Sequence, residues 1–209
     1  EINQFITESS YKIEAIFSAT DINGKPVQFK AEGPGRLHTT EEAEAFLETC
    51  KNAGYTVKDI QVKPAKRTPA APFTTSTLQQ EASRKMGYSV SKTMLIAQKL
   101  YESGKITYMR TDSIALSETA LADISKEINH SYGAKYHQPR KFKNKNENAQ
   151  EAHEAIRPTY MSNHTVEDDE CKRLYELIWK RTIASQMSDA AFEKTTAKIE
   201  ISTNKELLT

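Results

Sequence analysis

A tyrosine and an arginine two residues apart could act together on a phosphate group. They are Tyr108 and Arg110, in the stretch "GKITYMRTDS" at residues 104–113. A tyrosine hydroxyl is protonated at neutral pH and becomes a nucleophile only beside a base or a strong positive charge. Along an extended chain the two side chains would share a face, and a guanidinium can bind phosphate through two hydrogen bonds. By itself, a tyrosine after a strand is usually a packing residue, so the hypothesis needs support from elsewhere in the chain.

The residues that follow Arg110 are consistent with the same chemistry. The hydroxyls of Thr111 and Ser113 can donate hydrogen bonds to phosphate oxygens, and Asp112 can orient the guanidinium of Arg110. The reaction that these residues would support is attack of the Tyr108 hydroxyl on a phosphodiester. The phosphotyrosine that forms would conserve the energy of the broken bond for rejoining.

A histidine and a second arginine occur in "QEAHEAIRPT", residues 150–159. If this stretch is a helical turn, His153 and Arg157 are four residues apart on one face, and Pro158 ends the turn. A zinc-protease motif would need a second histidine in place of Arg157, so we exclude a metal site of that type. A structural role for His153 remains the alternative to a phosphate site.

The charge of the chain is balanced overall but locally basic. The formal net charge is +1, yet residues 63–110 contain nine Lys and Arg against two Glu. This excess is either a solvated surface or a footprint for a phosphate backbone. The two cysteines, Cys50 and Cys171, form neither a disulfide framework nor a zinc set, which fits the cytosol. No apolar run approaches the roughly 18 residues that a membrane span requires.

The first part of the chain is predicted to contain strands and one helix. Period-two apolar spacing predicts a strand over "YKIEAIF", followed by a hairpin turn at Asn23-Gly24. A capping box of Thr39 and Glu42 predicts a helix, which Gly54 can end in the left-handed conformation. The stretch "YTVKDIQV" predicts another strand.

The middle part is predicted to be helical. Prolines in "KPAKRTPAAPF" break regular structure and indicate a domain boundary near residue 68. A capping box of Ser76 and Gln79 predicts a helix that ends at Gly87, and the next helix has Tyr101 on its inward face. The short connection predicts a helix-turn-helix, and an extended "KITYM" after it suggests a winged-helix-like unit.

Two further helices and a strand complete the pattern. Ser117 caps a third helix, residues 137–150 are predicted to form a polar loop, and a long helix with acidic first turns begins near Thr165. The last stretch, "TTAKIEIST", alternates as a strand. It has no neighbouring partner, so we expect it to return to the first sheet, with the helical part as an insertion.

Three ordered motifs give the chain a family resemblance. "PFTTSTLQQEAS", "KTMLIAQKLYESGKITYMRTDS" and "QEAHEAIRPT" resemble the active-site region of the bacterial type IA DNA topoisomerases. The resemblance implies an α+β multidomain fold. In that fold a β-rich arch segment (residues 1–67 and a return strand, 194–209) holds an inserted, mainly helical, winged-helix-like (CAP-like) domain over residues 68–193.

The same resemblance implies an ATP-independent enzyme that cleaves and rejoins one DNA strand and thereby relaxes negative supercoils. The intermediate would be a 5′-phosphotyrosyl linkage, with Tyr108 as nucleophile and Arg110 positioning the phosphate. His153 would lie in the same pocket. Further phosphate-binding or DNA-binding residues would be Thr111, Asp112, Ser113, Arg157, Gln98 and Glu102.

The resemblance also implies a cofactor and partners. Mg²⁺ is expected for the full-length enzyme, bound by an acidic N-terminal domain, and "EDDE" at residues 167–170 has the wrong spacing for that metal motif. We therefore expect a fragment that holds the nucleophile without a metal site and cleaves poorly alone. Expected partners are DNA with a single-stranded segment and the missing domain, but no membrane. The expected enzyme is a cytoplasmic, nucleoid-associated monomer.

Two other functions remain open from the residues. A tyrosine recombinase also uses Tyr with Arg and His, but there the histidine motif precedes the tyrosine, whereas His153 follows Tyr108. A helix-turn-helix that only binds duplex DNA would explain the basic excess without any covalent step.

Overall fold

The chain forms two compact units in a computed structural model that describes residues 8–142 and 153–209. Unit 1 contains the described residues up to Ala65 together with Phe192–Thr209, and unit 2 contains the described residues of Lys66–Ala191. Within the described residues the fold is mixed, with antiparallel sheets and five α-helices. None of the described helices is both long and apolar enough to cross a lipid bilayer.

Unit 1 begins with the predicted hairpin. Strands β1 (Tyr11–Thr20) and β2 (Pro26–Leu37) pair antiparallel. The predicted Asn23-Gly24 turn is confirmed: Gly24 has a φ of +79°, where an L side chain would be strained. The Asp21 carboxylate accepts hydrogen bonds from two backbone N–H groups of this turn and so closes it.

Helix α1 (Thr40–Cys50) follows, and its predicted capping box is confirmed. The Thr39 hydroxyl accepts from the backbone of Glu42, whose carboxylate accepts from the backbone of Thr39. The predicted end of the helix is wrong. Asn52, and not Gly54, takes a positive φ after the helix. Asparagine tolerates this conformation, and Asn52 lies two residues closer to the end of the helix than Gly54.

The second sheet of unit 1 has the order β3-β4-β5, with β3 at Tyr55–Arg67, β4 at Ala190–Ile201 and β5 at Leu207–Leu208. Pro64 was expected to break regular structure, but β3 continues through it. An edge strand can hold a proline, because one side of the strand needs no ladder hydrogen bond. The two neighbouring strands β3 and β4 are separated in sequence by all of the helices of unit 2.

Unit 2 is built from four helices around one apolar core. They are α2 (Thr75–Met86), α3 (Val90–Glu102), α4 (Glu118–Ser131) and α5 (Asp169–Ser185), with a 3₁₀ turn at Ala134–Tyr136. Fully buried side chains of this core come from every helix: Leu78, Ile96, Leu100, Ile124, Ile128, Leu174, Tyr175 and Ile178.

Several helix ends in unit 2 match the sequence. Gly87 ends α2 with a φ of +67°, and Ser117 caps α4 through the backbone of Ala120. Asp168 caps α5, which begins at Asp169, later than predicted. Of the polar loop predicted over residues 137–150, the part from residue 143 onward lies outside the described residues.

Three predictions for unit 2 are wrong. Helix α2 is capped by Thr74 with Thr77 at its third position, so Ser76 is not the cap. Tyr101 is 41% exposed and is not an inward residue. The expected strand "KITYM" does not form, because Ile106 makes only an isolated bridge to Pro158. The wing of a winged helix is therefore not seen here as a regular strand.

Candidate active site

Tyr108 lies in a cleft of about 510 Å³ in unit 2. The cleft gathers three segments that are distant in sequence: the start of α2, the stretch after α3, and the stretch around His153. Its lining residues are Thr74, Thr75, Ser76, Tyr108, Arg110, Thr111, Asp112 and His153. Five of the nine residues singled out from the sequence therefore meet in one place.

The residues from Tyr108 to Ser113 form no regular strand, but they alternate between exposed and buried positions. Met109 is 1% exposed and Ser113 is also 1% exposed, so both point into the protein. Tyr108, Arg110 and Asp112 are exposed between them. Tyr108 and Arg110 both line the cleft, with the buried Met109 between them.

Tyr108 is held from one side by a neighbouring ring. Its ring centroid lies 5.2 Å from that of Tyr101 in an edge-on arrangement. Tyr101 is exposed because its ring packs beside Tyr108 and not into the core, so Tyr101 is part of the site. Tyr108 keeps 41% of its surface exposed. Among the described residues its hydroxyl has no hydrogen-bond partner, so it is free to meet a substrate.

Arg110 has its positive charge available in the cleft. Among the described residues it makes no ion pair, and Asp112 does not approach its guanidinium within salt-bridge distance, although both line the cleft. No direct contact therefore supports the expectation that Asp112 orients Arg110. An unpaired guanidinium beside an exposed tyrosine suits a phosphate anion, which could accept two hydrogen bonds from it.

His153 reaches the cleft on an extended segment, so the helical turn that the spacing of His153 and Arg157 would have required does not form. Ile156 bridges to Phe73, and Pro158 bridges to Ile106, so the segment pairs with backbone on two sides. The Thr107 hydroxyl donates to the carbonyl of Ala155 at 2.7 Å and accepts from the backbone N–H of Arg157 at 3.0 Å. These long-range bonds replace the local bonds of a helix.

Arg157 is the residue that this extended geometry removes from the cleft. Its guanidinium is largely buried and pairs with Glu154, with Nη2 2.6 Å from Oε2. The other Glu154 oxygen accepts from the backbone N–H of Ser117, at 2.6 Å. Burial raises the pKa of Glu154, but the hydrogen bonds from Arg157 and Ser117 outweigh it and lower the pKa below its usual value. Glu154 thus ties the His153 segment to the start of α4, and Arg157 holds Glu154 in place.

The three remaining residues also lie outside the cleft. Ser113 is buried and its hydroxyl accepts from the backbone N–H of Ala115 at 3.2 Å. The side-chain amide of Gln98 donates to Glu102, one turn along α3. Glu102 lines a different and larger cleft, of about 1190 Å³, which also contains Lys105. That cleft includes neither Tyr108 nor Arg110.

The start of α2 is the part of the site that sequence reasoning missed. The hydroxyls of Thr74 and Thr77 form its capping box, and Ser76 is exposed beside them. A helix N-terminus attracts anions, because its first N–H groups and its dipole present positive charge. A signal for it was present, since four hydroxyl residues in "TTST" precede the apolar pattern of the helix.

The described residues offer no site for a metal ion. Within 8–142 and 153–209, no group of three or more His, Cys, Asp and Glu side chains is arranged to hold one. The Mg²⁺ that the resemblance implies is expected in another domain of the full-length enzyme, so no step is assigned to a metal here.

The cleft thus combines an exposed tyrosine hydroxyl with an arginine and a histidine, which are groups that could bind a phosphodiester. Comparison with known proteins gives the family: the model of the DNA topoisomerase family matches residues 1–209. The chain belongs to this family.

Two relatives and one solved structure indicate how far the similarity extends. The chain is 42% identical over 214 residues to "DNA topoisomerase 1" of Zymomonas mobilis, a match that covers 100% of this chain and 18% of that protein. It is 50% identical over 171 residues to "DNA topoisomerase 1" of Streptomyces coelicolor, which covers 78% of this chain and 18% of that protein. The full-length topoisomerase I of Thermotoga maritima superposes with a TM-score of 0.67 at 34% identity, over 99% of this chain and 34% of that chain. The chain thus spans about a fifth of the length of these curated relatives.

Proposed function

We propose that this chain supplies the tyrosine nucleophile of a type IA DNA topoisomerase. In this proposal Tyr108 cleaves one DNA strand and rejoins it, so that negative supercoils relax without ATP. The observation that carries the proposal is the shared cleft, in which an exposed tyrosine, a histidine and an arginine without an ion-pair partner among the described residues lie beside a helix N-terminus. Thr111 and Asp112 complete the lining.

The chemical step is a transfer between two phosphate esters. The Tyr108 oxygen attacks phosphorus, its phenolic proton leaves, and the bond from phosphorus to the 3′ oxygen breaks. That oxygen takes up a proton and leaves as a 3′ hydroxyl, while the 5′ phosphate stays on the tyrosine. Arg110 binds the non-bridging oxygens, where negative charge builds up, and His153 assists by hydrogen bonding or proton transfer. Reversal of the same step reseals the strand.

The finer architecture is also part of the proposal. Residues 1–67 and 194–209 would contribute to an arch, and residues 68–193 would form a winged-helix-like domain that acts as a movable gate. The DNA bound would be single-stranded, Mg²⁺ would be held by residues outside the described part, and the full-length enzyme would work as a monomer at the nucleoid in the cytoplasm. Gln98, Glu102, Ser113 and Arg157 would act further from the phosphate or by holding the backbone.

The experiment that tests the nucleophile uses the full-length protein that contains this chain. Two single-stranded oligonucleotides of the same sequence, one labelled at the 5′ end and one at the 3′ end, are incubated with protein and Mg²⁺ and then trapped with denaturant. We expect a covalent adduct that retains only the 3′ label and is lost in Tyr108→Phe. Oligonucleotide affinity of the variant should change less than about twofold, because a phenol oxygen adds little to binding.

Tyr101→Phe is the matched control, since it removes a neighbouring phenol oxygen and keeps the ring that packs on Tyr108. It should form adduct at close to the wild-type rate. An adduct that retains the 5′ label would indicate the polarity of a tyrosine recombinase. Intact binding without any adduct would favour a helix-turn-helix that only binds DNA.

A further inference from the structure

The hydroxyl of Thr75 joins the start of α2 to the backbone on both sides of Arg110. It donates to the carbonyl of Met109 at 2.8 Å and, more weakly, to that of Thr111 at 3.1 Å. It also accepts from the backbone N–H of Thr111 at 2.9 Å. The backbone N–H of Thr75 donates to the Thr111 carbonyl, also at 2.9 Å. Thr75 therefore makes four hydrogen bonds to two residues, Met109 and Thr111, which flank Arg110.

These bonds lie where the orientation of two functional side chains is decided. Arg110 is enclosed between the two bonded residues, and Tyr108 directly precedes them. Within the described part of the chain no regular strand supports this stretch, since the bridge from Ile106 to Pro158 ends before Tyr108. Without the Thr75 hydroxyl, a single backbone bond to Thr111 would be left between α2 and the stretch.

We propose that Thr75 is a positioning residue for strand cleavage, which holds Tyr108 and Arg110 at fixed orientations toward one phosphate. The inference rests on the proposed function and deepens it. Its hydroxyl is occupied by protein backbone, so Thr75 acts through the two residues that it aligns. A displacement of about 1 Å at a reacting group can cost roughly 100-fold in rate. Loss of the clamp should therefore reduce the rate of cleavage and leave DNA affinity largely unchanged.

The test compares Thr75→Val, Thr75→Ser and Thr77→Val in the full-length protein. Valine keeps the shape of threonine without its hydroxyl, whereas serine keeps the hydroxyl. Thr77→Val is the matched control, because Thr77 belongs to the capping box of the same helix but makes no bond to residues 109–111. The readouts are the single-turnover rate of adduct formation at saturating oligonucleotide, the Kd for the oligonucleotide, and the thermal midpoint of unfolding.

We expect Thr75→Val to slow adduct formation by roughly 10- to 100-fold, with a Kd within about twofold of wild type. Thr75→Ser should stay within about threefold of the wild-type rate, and Thr77→Val should lower the thermal midpoint without slowing cleavage comparably. If Thr75→Val does not fold, Thr75→Ala takes its place, because alanine suits the first turn of a helix.

Three outcomes would overturn the inference. One is a folded Thr75→Val that cleaves at the wild-type rate. Another is a serine variant as slow as the valine variant, and the third is a loss in Thr77→Val equal to that in Thr75→Val. Wild-type protein and Tyr108→Phe are measured in the same assay, so that a failure of the Thr75 inference can be distinguished from a failure of the proposed function. Wild-type adduct with an unaffected Thr75→Val overturns only the clamp, whereas absence of wild-type adduct overturns both.

Discussion

Arg110 has a charge that the described part of the protein does not neutralise. A cation that is already paired gains little from a phosphate, so the absence of a carboxylate contact within the described residues favours Arg110 as the phosphate ligand. In the same basic segment, Arg84 and Lys85 both pair with Glu81 and Lys99 pairs with Glu170. The pairs of Arg84 and Lys85 lie within α2 and the pair of Lys99 joins α3 to α5, so part of the local excess of positive charge is already paired.

Arg110→Ala should lower the rate of adduct formation by roughly 100-fold, the effect of removing one donor that stabilises developing charge. Arg110→Lys should recover only part of this loss, because an ammonium lacks the two-pronged geometry of a guanidinium. Lys105→Ala is the matched control, since Lys105 lines the other cleft and has no ion-pair partner in the described chain. Equal losses in Arg110→Ala and Lys105→Ala would mean that only general charge attraction matters.

Side-chain types revealed the exposed members of the site, but not the groups that position them. Tyr108, Arg110 and His153 were identified because their chemistry is rare and their spacing is suggestive. Thr75 was missed because a hydroxyl at the start of a helix is explained equally well by capping. Its partners lie 34 and 36 residues away, and no local pattern reports such a bond.

Helices α2 and α5 are joined by one carboxylate surrounded by cations. Glu81 accepts hydrogen bonds from Arg84 and pairs with Lys85, and Arg181 of α5 approaches it at 3.5 Å. The guanidinium of Arg181 also lies 4.1 Å above the ring of Phe73, just before the cleft residue Thr74. These contacts fix the start of α2 against the core.

The hydrogen bond from Arg84 and the nearby Lys85 lower the pKa of Glu81 from 4.5 to about 2. Because the folded pKa is the lower one, the stabilisation is fully present above pH 4.5 and disappears as the pH falls toward 2. Glu81→Gln should reduce the free energy of unfolding at pH 7 by about 1 kcal/mol. It should also flatten the loss of stability between pH 4.5 and 2.

Urea unfolding of unit 2, followed by fluorescence of the single tryptophan, Trp179, measures this effect at pH 7, 4 and 3. The matched control is Asp123→Asn, whose carboxylate is more exposed and lies 3.9 Å from Lys126. It should change the free energy of unfolding by less than about 0.5 kcal/mol. An unchanged pH dependence in Glu81→Gln would show that the cations do not stabilise its charged form.

Elements were predictable where a few neighbouring residues decide them. The hairpin turn at Gly24 and the capping box at Thr39 depend on contacts within four residues. The predictions that are wrong concern segments whose structure depends on residues distant in sequence. Pro64 is accommodated because its strand lies at the edge of a sheet, and residues 153–157 are extended because Phe73 and Thr107 bond to them. Fold similarity to a solved topoisomerase I supports the mixed architecture, while the strand expected at residues 105–109 is present only as a single bridge.

Each unit of the molecule has an apolar cluster of its own, and the two differ greatly in size. Among the described residues, the cluster of unit 2 has 19 buried members, including Trp179. That of unit 1 has four, Ala31, Ile199, Ile201 and Leu208, with a few half-buried neighbours. Burial of apolar surface is the main stabilising term in folding, so the free energy of unfolding should differ between the units.

We therefore expect the 209-residue chain to unfold in two steps, with unit 1 first. Trp179 fluorescence reports only unit 2, whereas far-UV circular dichroism reports both, so the two urea transitions should not coincide. Ile201→Ala removes a fully buried side chain from unit 1. It should destabilise that unit by about 2–5 kcal/mol and shift only the early part of the dichroism curve. Ile178→Ala removes a buried side chain from unit 2 instead, and it should shift the Trp179 transition. Coincident transitions, or a Trp179 midpoint that moves in Ile201→Ala, would mean that both clusters unfold as one cooperative body.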